Sequence, residues 1–146
     1  MTTARQGRRS PARRSGRSGR VERGIGCGVD VVELERFRAS VRRGGARFLQ
    51  RIFTEAELAY SRARKRTTLL HLAGRFAAKE AVLKALWQLN PRATLTMKQV
   101  EVCNDRLGRP RAVLHGRASG VAVHISLSHV KTVAVASAIA VQGSPL

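Results

Sequence analysis

The sequence predicts an α+β fold: a short N-terminal strand, helices that include one long helix, and an antiparallel C-terminal β-meander. Three observations carry this. "GIGCGVDVV" (24–32) is short, rich in valine and punctuated by glycine. The stretch from Leu69 to Leu89 is a helix-length run dominated by alanine and leucine. After residue 96 apolar residues recur with period two between turn signals.

Before these elements, residues 1–23 hold eight arginines and one glutamate with almost nothing apolar, and are expected to be a disordered tail. The ordered domain is expected over 24–142, with 143–146 a short C-terminal tail. In the first strand, glycines allow other backbone to approach closely. At "DVVELERFRASV" the period changes: Leu34, Phe37 and Val41 fall on one helical face, and Asp30 with Glu33 has the spacing of a capping box. "FTEAEL" predicts a second helix start. Thr54 is its N-cap, Glu57 its N3 residue, and Phe53 and Leu58 its hydrophobic staple. The basic run "RARKR" (62–66) precedes the long helix, which Pro91 ends. "TMKQVEVC" (96–103) and "RAVLH" (111–115) read as strands around the turn "NDRLGRP". Val121, Val123, Ile125 and Leu127 alternate in the next strand, and Val133, Val135 and Ile139 in the last.

The chain carries 28 Lys and Arg against 9 Asp and Glu, a net charge of +19. Without the tail, 20 basic residues still face 8 acidic ones, so the domain itself is basic and calls for an anionic partner. Cys27 and Cys103 form no Cys-x-x-Cys or Cys/His ligand spacing and read as small apolar strand residues in a reducing, cytoplasmic setting. No apolar run approaches the ~20 residues of a membrane span. An arginine tail would suit phosphate backbones, which makes a nucleic-acid-binding protein the alternative function. Against it, aromatic residues are few, and no helix-turn-helix, RNA-recognition or zinc spacing is present.

The chemistry-bearing candidates gather around "GRFAAKEAVLKAL" (74–86). Glu80 and Lys84 are i,i+4 neighbours on a face with Ala73, Ala77 and Trp87, and Phe76, Leu83 and Leu86 form the opposing apolar stripe. That face is either solvated or a docking surface. Asp30 stands where strand hands over to helix, as an N-cap or as a carboxylate able to join Glu80 around a hard divalent cation. Arg75, Lys79, Lys84, His129 and the 62–66 run would then suit a polyphosphate. Ser126 and Ser128 have no Ser-His-Asp setting.

Three ordered blocks carry a resemblance: "GIGCGVDVVELERF" (24–37), "FLQRIFTEAEL" with "AGRFAAKEAVLKAL" (48–86), and "VHISLSHVKTVAVASAIA" (123–140). A fourth, "VEVCNDRLGRPRAVL" (100–114), adds an N-D-x-x-G-R-P turn. Together these blocks resemble the holo-acyl-carrier-protein synthases, which are Mg²⁺-dependent 4'-phosphopantetheinyl transferases. The resemblance implies transfer of 4'-phosphopantetheine from coenzyme A to a serine of an acidic apo acyl carrier protein, of fatty-acid or polyketide type, with release of 3',5'-ADP. By position it implies that Asp30 and Glu80 bind the metal, and that Lys84 neutralises charge on the departing phosphate. Arg75, His129, Lys79 and Arg66 face coenzyme A, and Arg36 helps receive the carrier. It also implies a homotrimer with sites between subunits. One departure stands out. Where the family has a glycine-rich loop after this helix, the chain has "WQLNPRATL" (87–95), so Trp87 and Pro91 shape a different wall.

Overall fold

The computed structural model describes residues 24–92, 94–116 and 120–143. The expected tail at 1–23, with the nucleic-acid reading that hangs on it, and residues 144–146 lie outside the described residues. Strand β1 (Ile25–Glu33) leads into helix α1 (Leu34–Ile52), helix α2 (Glu55–Arg62) and the long helix α3 (Thr68–Leu89). Four strands follow: β2 (Val100–Asn104), β3 (Pro110–Leu114), β4 (Val121–His129) and β5 (Val133–Gln142).

The α+β class holds, but the C-terminal strands do not form one continuous meander. β2 and β3 make a separate antiparallel hairpin, while β5 sits between β1 and β4 in a three-stranded antiparallel sheet. The last strand therefore pairs with the first, bringing Asp30 opposite Ala136 and His129 opposite Ala134. Sequence alternation identifies such strands but not their partners, because pairing over a hundred residues leaves no local signal.

Helix α3 packs across the inner face of the sheet, where Ala134, Ala136, Ala138 and Ala140 of β5 are buried. Small residues on both sides allow close approach. A Cβ at Gly26 or Gly28 would overlap the carbonyl oxygens of Ala85 and Ala81, so the first strand needs its glycines to lie on the helix. Because Leu72, Arg75, Lys79 and Val82 are buried as well as Ala73, Ala77, Ala78, Ala81 and Ala85, α3 is enclosed on most of its circumference. The face drawn from the sequence is thus corrected. Ala73 and Ala77 point into the core, whereas Phe76 and Leu83 are only partly buried and flank Glu80 on the open side.

Two capping expectations met different fates. At α2, Thr54 Oγ1 accepts from the Glu57 amide at 3.3 Å and Glu57 Oε2 accepts from the Thr54 amide at 2.8 Å, with Phe53 and Leu58 buried beside them. At α1, Asp30 caps nothing. It lies within β1, and Glu33 occupies the N-cap position without a side-chain hydrogen bond. The ladder with β5 carries the strand past the point where the sequence pattern would stop it.

Candidate active site

Asp30 points from the inner face of β1 toward α3, where Glu80 and Lys84 stand one turn apart. Lys84 Nζ donates to Asp30 Oδ1 at 2.8 Å and to the Val29 carbonyl at 2.9 Å. The lysine thus bridges strand and helix instead of pairing with Glu80 along its own helix. Asp30 is largely sheltered, with 18% of its side chain exposed, while Lys84 keeps 51%. Glu80 is half-buried, and its carboxyl is held above the ordinary 4.5, first by burial, then by the Asp30 charge, with Lys84 opposing. Two acids therefore face each other across the strand–helix junction.

They line a cavity of about 340 Å³ with Val31, Glu33, Arg36 and the aromatic rings of Phe37, Phe48 and Phe76. Phe37 packs against Phe76 at 5.5 Å and against Phe48 at 6.2 Å between centroids, which gives the acidic pair an apolar back wall. Arg36, expected at a carrier-docking surface, projects from the first turns of α1 onto the rim of this cavity.

Arg75 and His129 come together elsewhere. Five residues along a helix turn through about 140° net, so Arg75 leaves α3 on the flank away from Glu80. There it lines a small pocket of about 120 Å³ with Tyr60, His71, Asn104, Pro110, Leu127 and His129. Arg75 is 6% exposed; its guanidinium donates to Asn104 Oδ1 at 3.0 Å and has no hydrogen-bond partner for Nε among the described residues. Burial pulls Arg75 below its ordinary value. His71 is held below 6.5, by burial first and then by Arg64, Arg75 and His129. A carboxylate-free cluster of bases around a buried arginine suits an anion. His71, Tyr60 and Asn104 were not singled out from the sequence. Their only signal there is position, since His71 lies one turn before Arg75.

Two expected phosphate contacts fare differently. Lys79 is fully buried and is removed from the site. Its Nζ sits 2.7 Å from Glu57 Oε2 and donates to the carbonyls of Ile52 at 2.9 Å and Met97 at 3.0 Å. These partners take all three of its donors. Arg66 is exposed on the 3-10 turn Lys65–Thr67 and lines neither cavity.

The replaced loop builds a third hollow. Trp87, 61% exposed, lines an apolar groove of about 740 Å³ with Cys27, Val29, Leu83, Lys84, Gln88 and Leu95.

The chain as a whole matches a known family. The sequence profile of the 4'-phosphopantetheinyl transferase superfamily matches residues 26–140, which span both cavities. The chain belongs to that superfamily. Among its relatives, the holo-[acyl-carrier-protein] synthase of Koribacter versatilis is 42% identical over 122 residues, covering 79% of this chain and 96% of the relative. The apo synthase of Chronobacterium ammoniagenes superposes with a TM-score of 0.73 at 27% identity, covering 84% of this chain and all of that one. The same organism's synthase in complex with coenzyme A gives a TM-score of 0.71 at 28% identity, covering 80% and 96%. The chain is thus a phosphopantetheinyl transferase of the holo-acyl-carrier-protein synthase type. Among the described residues no helix is long and apolar enough to cross a membrane.

Proposed function

We propose that the protein transfers 4'-phosphopantetheine from coenzyme A to the hydroxyl of a serine on an apo acyl carrier protein in the cytoplasm, releasing 3',5'-ADP. The observation that carries the residue assignment is the convergence of Asp30 and Glu80, from β1 and α3, on one basic-rimmed cavity. Among the described residues no three or more acidic, histidine or cysteine side chains gather to hold a metal. Two carboxylates nevertheless fit Mg²⁺, which takes one or two of them and completes its shell with phosphate and water. The mutual repulsion that helps raise Glu80 is what such a cation relieves. Bound by Asp30 and Glu80, Mg²⁺ would supply charge neutralisation to the coenzyme A diphosphate.

The residues of the chain do the rest. The serine oxygen attacks the β-phosphorus, a new P–O bond forms, and the bond to the oxygen bridging to the α-phosphate breaks. Glu80 accepts the serine proton, directly or through a water. Lys84 has one N–H left beyond its contacts with Asp30 and Val29, and turns it to the departing phosphate. Arg75 and His129 receive the 3'-phosphate, and Arg36 steers the acidic carrier.

The carboxylate cavity and the cationic pocket lie on opposite flanks of α3. This supports a site completed between neighbouring subunits of a homotrimer. Ile25, Val29, Val31 and Ile139 are exposed on the outer face of the sheet and supply an apolar surface for that assembly.

The test is to incubate the protein with Mg²⁺, coenzyme A and an apo carrier and weigh the carrier. A gain of one phosphopantetheine is expected, and it is suppressed in Asp30→Asn and Glu80→Gln. No gain with several carriers and folded protein defeats the reading. Full activity in both variants defeats the metal assignment.

A further inference from the structure

The cationic pocket contains an aromatic ring that phosphate binding alone does not require. Arg64 Cζ lies 3.4 Å and Arg75 Cζ 3.9 Å from the centroid of the Tyr60 ring. Two carbons that near to one face would overlap well inside van der Waals contact, so the guanidiniums flank the ring from opposite sides. His71 meets the same ring edge-on at 5.8 Å and in turn faces His129 at 6.4 Å. Tyr60 is therefore the hub of the pocket. Among the described residues neither Arg64 nor Arg75 has a carboxylate within ion-pair distance. Each repels the other, and the negative π-faces of the ring are what holds them side by side. Asn104 fixes the free end of Arg75, and the Tyr60 carbonyl accepts from Arg64 Nη1 at 3.0 Å.

We propose that Tyr60 is a positioning residue whose ring, backed on its far face by Arg64, holds Arg75 in the pocket as the guanidinium that receives the phosphomonoester of the donor substrate. This rests on coenzyme A being that donor. The pocket is specific for a monoester because it has room for one phosphate group and no acid lines it to share a metal with a diphosphate. A phosphomonoester near neutral pH carries about −1.5 to −2 charges, which suits a pocket that offers Arg75 and two imidazoles and no carboxylate.

The experiment measures KM and kcat for coenzyme A and for 3'-dephospho-coenzyme A in the wild type, Tyr60→Leu, Tyr60→Phe and Arg64→Gln, with a melting curve for each. The wild type is expected to prefer coenzyme A. Tyr60→Leu raises KM for coenzyme A about tenfold, as the loss of a desolvated cation–π pair would, and leaves kcat and the KM for the dephospho substrate unchanged. Tyr60→Phe keeps the ring and behaves as wild type. Arg64→Gln, on an exposed side chain, repeats the Leu phenotype more weakly should Tyr60→Leu fail to fold. Equal rises in both KM values show a merely structural ring and overturn the clamp. So does a discriminating wild type that neither Tyr60→Leu nor Arg64→Gln alters. A wild type that does not distinguish the two substrates overturns the monoester assignment, and the clamp with it.

Discussion

Helix α3 carries two lysines that each meet an acid from another element, and the two meetings differ in nearly everything but residue type. Lys79 and Glu57 are sealed from solvent. Glu57 also accepts from the amides of Thr54 and Val102, so one carboxylate joins the α2 cap, the edge of the β2–β3 hairpin and α3. Every donor and acceptor there is occupied, and the pair functions as a pin through the core. Lys84 and Asp30 stand half-open, with a second acid beside them whose proton affinity is raised and a cavity in front. The difference teaches that a charged pair is read by what remains unsatisfied around it. A completed pair holds the fold, and an incomplete one is left for a ligand.

The largest effect expected from breaking this contrast is at the pin. Lys79→Met leaves Glu57 buried without its cation and should cost about 3–5 kcal/mol in a urea titration. A loss below about 1 kcal/mol would show the pair to be no more than a surface bridge. Next comes Lys84→Ala. Transfer should fall roughly 10²- to 10³-fold, as when one charge-stabilising donor is removed, while stability changes by less than about 1 kcal/mol because the lysine end of the pair is half open to solvent. If unfolding shifts as far as for Lys79→Met, the two pairs are not different in kind.

The smallest effect concerns Glu80. A carboxyl raised on folding keeps its proton in the native state after the unfolded chain has lost it, so stability falls as pH rises from about 4.5 through the native value. Glu80→Gln removes that penalty. The variant should melt slightly above wild type at pH 7 and show no gain at pH 4, even as it loses activity. Equal melting curves at both pH values would mean that Glu80 is not strained by its surroundings.

The cap at Thr54 was legible in the sequence because its partners lie three residues apart and the interaction is complete within one turn. Asp30 misled for the same reason: its spacing to Glu33 imitated a cap, and only pairing with β5 kept it in a strand. The face of α3 was not legible because alanine and leucine surround that helix on nearly all sides, which removes the polar arc that gives periodicity a direction. Lys79 reads from the sequence as a phosphate-facing base because its neutralising acid lies on another helix, 22 residues away.

By itself, the sequence determined the α+β class, the Thr54 cap, the glycine-lined contact of the first strand, and the membership that its ordered motifs announce. Those features depend on neighbours in the chain or on a pattern shared with relatives. Tertiary structure alone decided that β5 lies between β1 and β4, that Lys79 is buried while Lys84 is open, and that Tyr60 gathers Arg64 and Arg75. The physical reason is common to all three. Burial and charge compensation depend on which distant groups arrive at the same place, and distance in space is not written in the spacing of residues.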